Sequence, residues 1–479
     1  MRPLIRGTTP HEGASFPGVD GGPYCSPVHR FTAEQEHIAK ALAEFCLNRL
    51  AQQAPLDHPL SPSQLDKLAG QMITPEGVGG EEMLRLWRDV LGPACLSVDH
   101  PRYLSFIPSA PTKAAAAFDM LVGATSVYSG SWLEGSGAVY AENQALRWIC
   151  DLAGLPPEAG GVFVQGGTVG NLSALVAARE AAKHARGGRL ARPAVCVTQE
   201  SHSSVKHALR VVMDVEAVEV PGDACGRMQG SALRETVAAL PDELRDGIFA
   251  VVATAGSTNL GMVDDIAGIA DVAGEHRWWL HVDAAYGGAA LAVEGVRHLF
   301  AGIERADSLI IDPHKWLFAP FDACALLYRD PALGRTAHAQ HASYLDPVTV
   351  DGDWNPSDFA IQLSRRARGL PFWFSLAVHG TEAYAREIAR TIEVARAGAD
   401  LIRSRNHVRL LLEPELSIVV FERVGWERSD YTRWSARILE EQIGFVTPTM
   451  HNGKVCTRFA VVNPSTTVAD LELIVDSMF

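Results

Sequence analysis

The arrangement of apolar and polar residues divides the 479-residue chain into regions of different predicted structure. Thr32 and Gln35 have the spacing of a helix capping box, and apolar residues then recur at helical spacing from Ile38 to Leu50. This pattern predicts a helix that begins at Thr32. A second helical pattern covers residues 81–91.

Short apolar runs alternate with helical segments after about residue 160. Each run has the length of a buried strand, and strands that alternate with helices favour βαβ units and a mostly parallel sheet covered on both faces. The predicted strands lie at 161–164, 194–198, 248–254, 278–282, 308–311 and 324–328, and the predicted helices at 172–182, 203–212 and 266–274.

The pattern changes again after about residue 345. A polar stretch with Pro, Gly and Asp predicts a loop, and a helix-rich stretch follows it. Strands are then predicted at 409–412, 417–421 and 455–461, with a last helix from about Thr467. The predicted regions are an arm at 1–30, a helical segment at 31–90, a large α/β domain at 91–345, a mobile loop at 346–360, and connecting helices with a small α+β domain at 361–479.

The amino-acid composition and the net charge of the chain argue against several classes of function. The net charge of −14 argues against a nucleic-acid partner or an anionic membrane surface. The eight cysteines form neither a CxxC pair nor a zinc-like spacing with histidine, so no metal site is expected. Neither a secretory signal nor an apolar stretch long enough to span a membrane is evident. We therefore expect a cytoplasmic enzyme or binding protein.

The stretch with the most chemical content is Asp312-Pro-His-Lys-Trp316, directly after the predicted strand at 308–311. A lysine fixed in apolar surroundings can lose its proton near neutral pH and attack a carbonyl carbon. Taken alone, Lys315 is more simply explained as a surface lysine that follows a strand. Its interpretation therefore depends on the motifs upstream.

Three further motifs follow predicted strands, and open α/β sheets bind ligands at such strand ends. The glycines and helix start of Gln165-Gly-Gly-Thr-Val-Gly-Asn171 suit a phosphate. Ser201-His-Ser-Ser204 offers His202 as a ring that can stack on an aromatic ligand. Asp283 ends an apolar strand and is costly there without a partner such as a protonated ring nitrogen. Singly, each motif is also explained by a glycine turn or a helix cap.

Taken together, the motifs supply a phosphate cradle, a stacking ring, an acid for a ring nitrogen and an amine for an aldehyde. Pyridoxal 5′-phosphate requires all four. We therefore predict that it is the cofactor.

In chain order, QGGTxxN, SHSS, HVDAAYGG and DPHKW resemble the motifs of the group II pyridoxal-phosphate-dependent amino acid decarboxylases, above all the aromatic-L-amino-acid decarboxylase branch. The resemblance covers nearly the whole chain after residue 30. Further matching motifs are His100-Pro101, Phe106–Ser109, Ser129–Trp132, Ser364–Arg368 and Arg458–Ala460.

The resemblance implies an α/β protein with the pyridoxal-phosphate aminotransferase-like fold (fold type I). In this fold a large, mostly parallel, seven-stranded sheet domain holds the cofactor. A smaller C-terminal α+β domain and an N-terminal helical segment complete the chain. Family members are homodimers with a shared active site, so we expect residues 31–90 to form dimer contacts and the loop at 346–360 to reach across.

The resemblance also implies roles for individual residues. Lys315 is expected to hold the cofactor as an imine and to exchange it for the substrate amine, while Asp283 pairs with the ring nitrogen. His202 is expected to stack on the ring and to act in catalysis. The other implied cofactor contacts are Gly167, Thr168, Thr258, Ala285 and His314. The implied substrate contacts are Ser109, which would hold the carboxylate, and Phe106, Trp132 and Trp316.

The implied reaction is loss of CO2 from an L-amino acid, through a quinonoid intermediate, to give the amine. In the family, a loop Tyr protonates that intermediate. Its place, counted back from residues 361–366, falls at 354–358, where there is no Tyr; the nearest aromatic residues are Trp354 and Phe359. Either His202 or Tyr344 delivers the proton instead, or O2 intercepts the carbanion and the product is an aldehyde with ammonia and peroxide.

We favour the decarboxylase over the aldehyde-forming alternative, and either enzyme over a non-catalytic pyridoxal-phosphate-binding protein. An aromatic substrate is favoured over glutamate. Gly130 leaves space for a ring as large as indole, although Tyr128 partly offsets it, and Asp99 disfavours an acidic side chain.

Overall fold

The computed structural model describes residues 27–340 and 354–479. Most of the predicted arm at 1–30, and residues 346–353 of the predicted loop, lie outside this range, as does Tyr344. The described chain divides into two compact units, one from residues 27–52 and 60–93 and the other from residues 53–59 and 94–479 without the gap. The region boundaries set from the sequence stay predictions.

The smaller unit is helical. Its first helix is capped by Thr32, whose hydroxyl accepts from the Gln35 amide while the Gln35 side chain accepts from the Thr32 amide, which confirms the predicted capping box. No side chain of the first two helices is buried. The helices are α1 (Ala33–Ala51), α2 (Pro62–Ala69) and α3 (Gly80–Leu86), and α3 continues as a π-helical turn at Trp87–Leu91.

The larger unit contains a seven-stranded sheet. Its strands are β1 (Gly160–Val164), β2 (Ala194–Thr198), β3 (Glu216–Val220), β4 (Ile248–Thr254), β5 (Trp279–Asp283), β6 (Ser308–Ile311) and β7 (Cys324–Tyr328). The order across the sheet is β1-β7-β6-β5-β4-β2-β3. β7 pairs antiparallel with both of its neighbours, and the remaining pairs are parallel. The carboxyl ends of β1, β2, β4, β5 and β6 therefore meet at one edge, and the mostly parallel α/β sheet is confirmed.

Apolar side chains fill both faces of this sheet. In β4, for example, Val251 and Ala253 belong to the core on one face, and Ala250 and Val252 to the core on the other. The helices of this part of the chain are α4 (Lys113–Thr125), α5 (Trp132–Leu152), α6 (Gly167–Ala185), α7 (Ser203–His207), α8 (Gly230–Ala238), α9 (Asp242–Gly247), α10 (Ile266–His276), α11 (Glu294–Arg297) and α12 (Pro331–His338).

The C-terminal part is a second, antiparallel sheet with helices packed on it. Its strands, in the order β10-β11-β9-β8, are β8 (Val408–Leu412), β9 (Ile418–Arg423), β10 (Pro448–His451) and β11 (Lys454–Ala460). The helices are α13 (Leu370–His379), α14 (Thr381–Arg403), α15 (Arg428–Glu440) and α16 (Val468–Asp476). Three of the strands were predicted, and β10 was not.

Within residues 27–340 and 354–479, no helix is both long and apolar enough to cross a membrane.

Candidate active site

The strand ends of the large sheet surround a cavity of about 330 Å³. A volume of this size suits a small-molecule ligand. It lies where the four sequence motifs converge, although they are separated by up to 150 positions in the chain. The residues that line it are Gln165, Gly166, Gly167, Thr168, Asn171, His202, Ser204, Thr254, Gly256, Thr258, Asp283, Ala285, Tyr286, Asp312, His314, Lys315, Phe321 and Asp322.

One end of the cavity is formed by the start of α6. Gly167 is the first residue of this 19-residue helix, so the unpaired N–H groups of the first turn lie at the cavity. A Cβ atom at Gly167 would lie 3.1 Å from Oδ2 of Asp312, so a larger residue here would require the Asp312 side chain to shift. The His314 ring is fixed nearby because its Nδ1 donates to the Ala323 carbonyl at 2.7 Å. A helix start with a close glycine backbone is a good place for a phosphate.

Asp283 lies at the carboxyl end of β5 and is almost completely buried. Its Oδ2 accepts a hydrogen bond from Nδ2 of Asn171 at 2.9 Å, and its Oδ1 accepts one from the Ala285 amide at 3.2 Å. No Lys or Arg forms an ion pair with it in the part of the chain that the structure describes. A cationic ring nitrogen would supply the missing positive partner.

Lys315 follows β6 and forms an ion pair with Asp312. The two groups are 2.9 Å apart, and the side chains are 20 % and 2 % exposed. Burial lowers the pKa of Lys315, but the Asp312 and Asp283 carboxylates together outweigh burial and raise that pKa above its ordinary value. The carboxylates therefore favour the ammonium form of Lys315, whereas apolar surroundings alone would favour the neutral amine.

The backbone around Lys315 is fixed at both ends. The Asp312 amide donates to the Ala285 carbonyl at 3.0 Å, and the Lys315 amide donates to the Asp312 carbonyl at 2.9 Å. After residue 323 the chain enters β7, which pairs back on β6. The position of Lys315 is therefore set by two paired strands.

His202 lies on the cavity wall and is held by Ser204. The Ser204 amide donates to Nδ1 of His202 at 3.3 Å, and the Ser204 hydroxyl lies 2.8 Å from the same nitrogen. Because Nδ1 accepts from that amide, the ring proton of neutral His202 is on Nε2. Thr258 and Ala285 also lie on the cavity wall.

The four expected substrate contacts are not on the cavity wall of this chain. Ser109 is buried, and its hydroxyl donates to the Ala319 carbonyl at 2.8 Å. Phe106 is 58 % exposed, and Trp132 is half-buried at the start of α5.

Trp316 is the clearest difference. Its side chain is fully buried, its ring stacks on Tyr286 with centroids 5.1 Å apart, and its Nε1 donates to Thr391 at 2.9 Å. The indole therefore packs in the core and does not line the cavity of this chain, whereas the resemblance implies a substrate contact at this position.

Several residues of the cavity wall have no separate role predicted from the sequence. Asn171, Tyr286 and Asp312 lie inside recognised motifs, and their positions within those motifs were the available signal. Tyr286 links the cavity to the C-terminal part, because the Ser417 amide donates to its hydroxyl at 3.0 Å. Asp322 is paired with Arg368.

The described end of the expected mobile loop packs on the large sheet. The rings of Trp354 and Phe359 stack with centroids 4.3 Å apart, and Nε1 of Trp354 donates to the Gly161 carbonyl at 3.2 Å. Neither ring lines the cavity. Residues 346–353 lie outside the described chain.

The residues present fit pyridoxal phosphate. The cavity combines an amine, a buried carboxylate, an exposed imidazole and a glycine-rich helix start. Two buried oxygens on its lining residues, Oε1 of Gln165 and Oγ1 of Thr254, have no hydrogen-bond partner within the described chain. Unpaired buried polar atoms are rare in proteins and indicate a polar ligand here. Fold and site together define a pyridoxal-phosphate enzyme of fold type I.

Comparison with known proteins specifies the class further. The sequence profile described as "Pyridoxal-dependent decarboxylase conserved domain" matches residues 62–424. The chain belongs to the pyridoxal-dependent decarboxylase family. It is 30% identical over 430 residues to the aromatic-L-amino-acid decarboxylase of Bacillus atrophaeus, covering 87% of this chain and 88% of that protein. It is 31% identical over 393 residues to the L-2,4-diaminobutyrate decarboxylase of Rhizobium meliloti (strain 1021), covering 80% of this chain and 78% of that protein.

Solved structures show the same fold. The Oryza sativa TDC with PLP and tryptamine superposes with a TM-score of 0.85 at 24% identity, covering 95% of this chain and 99% of that chain. The predicted family, fold type, cofactor and enzyme class are thereby confirmed. The protein is a pyridoxal-phosphate-dependent amino acid decarboxylase, a carboxy-lyase.

Proposed function

We propose that the protein decarboxylates an aromatic L-amino acid to the corresponding amine. The observation that carries the proposal is the meeting of Lys315, Asp283 and the glycine-rich start of α6 in one cavity. When bound, pyridoxal phosphate supplies an electron sink for the electron pair that remains as CO2 departs. The residues of the chain then have to bind and orient the cofactor and the substrate, and to supply a proton to the product.

Each cavity residue has a proposed task. Lys315 would attach the cofactor covalently through Nζ, and Asp283 would keep its ring nitrogen protonated, which would strengthen the sink. His202 and Ala285 would contact the ring of the cofactor. Gly167, Thr168 and His314 would hold the phosphate, and Thr258 would be a further cofactor contact. Because Nε2 carries the proton of neutral His202, that nitrogen could donate a hydrogen bond or a proton to the substrate.

The aromatic substrate is supported by the character of the cavity and by the relatives. The cavity has the aromatic side chains of Phe321 and Tyr286 on its wall, which suits an aromatic substrate. The aromatic-L-amino-acid decarboxylase of Bacillus atrophaeus aligns with 87% of the chain.

We also propose that the working form is a homodimer in the cytoplasm. Large apolar side chains are exposed on α4 and α5 and near the cavity, which supports a covering partner. They include Met120, Leu121, Leu133, Tyr140, Phe106 and Phe321, with exposures of 39–63 %. In a dimer, Phe106 and Trp132 are then available to the partner's cavity, and Ser109 positions the turn that carries Phe106. Cys150, Cys196, Cys324 and Cys456 are buried free thiols, which suits a reducing compartment.

One experiment tests the reaction and the substrate together. The purified holoenzyme is incubated with each proteinogenic amino acid and with 2,4-diaminobutyrate, and CO2, ammonia and peroxide are measured. CO2 without peroxide, from an aromatic amino acid, is the expected result. Peroxide and ammonia in step with CO2 would establish the aldehyde-forming reaction instead, and turnover of glutamate or diaminobutyrate alone would refute the aromatic substrate.

Lys315→Ala is the control for chemistry at the site. This variant should lack both the visible absorption of the attached cofactor and CO2 release. A Lys315→Ala enzyme with wild-type turnover would contradict the assignment of Lys315.

A further inference from the structure

A chain of hydrogen bonds leads from Asp283 into the protein interior. Nδ2 of Asn171 donates to Asp283 at 2.9 Å, and Oδ1 of Asn171 lies 2.8 Å from Nε2 of His281. Nδ1 of His281 lies 2.8 Å from the Ser308 hydroxyl, which accepts from Nε1 of Trp279 at 2.7 Å. All five side chains are buried. The chain crosses three elements, α6, β5 and β6.

The donors and acceptors fix the direction of this chain. The Asp283 carboxylate can only accept, so the NH2 group of Asn171 faces it and Oδ1 of Asn171 faces His281. Because Oδ1 can only accept, neutral His281 carries its ring proton on Nε2 and donates it to Asn171. Nδ1 of His281 then accepts from the Ser308 hydroxyl, whose oxygen accepts from Trp279.

This arrangement of hydrogen bonds requires His281 to be neutral. Burial lowers the pKa of His281 to about 4, even though the nearby Asp283 carboxylate acts in the opposite sense. His281 is therefore neutral at pH 7. An amide can turn over, but the reverse orientation of Asn171 would set its oxygen against the carboxylate and its NH2 group against a ring N–H.

We propose that Asn171 is a positioning residue that orients the Asp283 carboxylate toward the cofactor's ring nitrogen. The inference rests on the proposed pairing of Asp283 with that nitrogen. Asn171 donates one of the two hydrogen bonds that Asp283 accepts, and the other comes from the backbone of Ala285. Asn171 is thus the side chain that can be changed to test the arrangement.

Two variants separate hydrogen bonding from packing. Asn171→Asp keeps the size of the side chain but replaces the donor with an acceptor, and Asn171→Ala removes both. Ser173→Ala is the matched control: Ser173 lies two positions along the same helix and is fully buried, but its hydroxyl accepts from the Ile361 amide and takes no part in the chain to Asp283.

The measurement is titration of each cofactor-free protein with pyridoxal phosphate, followed by visible absorption, with thermal unfolding of the cofactor-free protein recorded alongside. A hydrogen bond to a charged group is worth enough to change binding by about tenfold to a hundredfold. Both Asn171 variants should therefore bind pyridoxal phosphate at least about tenfold more weakly than wild type, and Ser173→Ala within about threefold.

Each outcome decides one claim. Wild-type affinity in Asn171→Asp would overturn the inference, because only packing would then matter at this position. Weaker binding by Ser173→Ala, to the same degree as the Asn171 variants, would also overturn it. A wild-type protein that develops no visible absorption with pyridoxal phosphate would instead refute the proposed roles of Lys315 and Asp283.

Discussion

Replacing Asp312 with Asn should make Lys315 a stronger nucleophile and the protein less stable. In the wild type the ammonium group of Lys315 lies 2.9 Å from the Asp312 carboxylate. This ion pair opposes the lowering of the Lys315 pKa by burial. In Asp312→Asn the ion pair is lost while the burial remains. The pKa of Lys315 should then fall, because burial is opposed only by the more distant Asp283 carboxylate among the acidic groups.

The size of both effects follows from the ion pair. An ordinary lysine with a pKa of about 10.4 has roughly one free amine in a thousand at pH 7.5, and each unit of decrease in the pKa raises that fraction tenfold. Labelling of Lys315 should therefore accelerate by at least about tenfold. Breaking a buried pair costs about 3–5 kcal/mol, and we expect the lower value because the Lys315 side chain is 20 % exposed.

The pH range of this stabilisation follows from the two pKa shifts. The pKa of Asp312 is lowered, because Lys315 and His314 outweigh burial, so its contribution is lost as the pH falls through that lowered value. The pKa of Lys315 is raised, so its contribution is lost only as the pH rises through that raised value, above about 10.4. Between about pH 4 and pH 10 the stabilising effect of the pair should be fully present.

The assay is acylation of the cofactor-free protein at pH 7.5, with the labelled Lys315 peptide quantified by mass spectrometry and stability measured by urea unfolding. Asp307→Asn is the control, since Asp307 accepts from the Leu280 amide at 2.7 Å just before β6 and has no contact with Lys315. It should lose stability without a change in Lys315 labelling. Equal labelling rates in wild type and Asp312→Asn would refute the reasoning.

Three other changes test the surrounding structure. Arg365→Met breaks a buried ion pair with Glu142 and should lower the free energy of unfolding by about 3–5 kcal/mol in urea, with part of the loss recovered in the double variant with Glu142→Met. Trp316→Phe removes the hydrogen bond to Thr391 and should cost about 1–2 kcal/mol of stability while the KM for substrate stays unchanged. Burial raises the pKa of Asp264 to about 7, so the stability of wild type relative to Asp264→Asn should fall as the pH rises from about 4 to 7, by up to about 1.4 kcal/mol per pH unit.

Each of these has a result that would contradict it. A change in KM without a loss of stability in Trp316→Phe would mean that the indole contacts the substrate. Equal stability of Arg365→Met and wild type would mean that the ion pair is not formed in solution. A stability difference for Asp264 that does not vary with pH would mean that its carboxyl group is not protonated near neutral pH in the folded protein.

Much of the large sheet could be predicted because its strands are continuous apolar runs. Those at 194–198, 248–254, 308–311 and 324–328 have the predicted bounds, since both faces of the sheet are covered and each strand is buried along its whole length. β3 at Glu216–Val220 was missed because it is an edge strand with two exposed glutamates, and its pattern resembles a loop.

The site could be predicted in composition but not in electrostatics. The motifs identify Lys315 and Asp283 because, together with the glycine turn and His202, they supply the groups that pyridoxal phosphate requires. The charge of Lys315 depends on the distance to Asp312, and the order of the hydrogen bonds depends on Asn171, His281 and Ser308 meeting from positions far apart in the chain. Such distances are properties of the folded chain and have no local sequence pattern.

The reversed strand β7 has a consequence for redesign of this protein. Because β6 and β7 pair on either side of residues 312–323, that short segment is tied at both ends and Lys315 cannot be moved without separating two strands. A circular permutation with its new chain termini within residues 312–323 would remove the connection between β6 and β7 that fixes Lys315. The exposed turn at Gly187–Gly188, after α6 and ahead of β2, offers a cut that leaves every strand pair of the sheet intact.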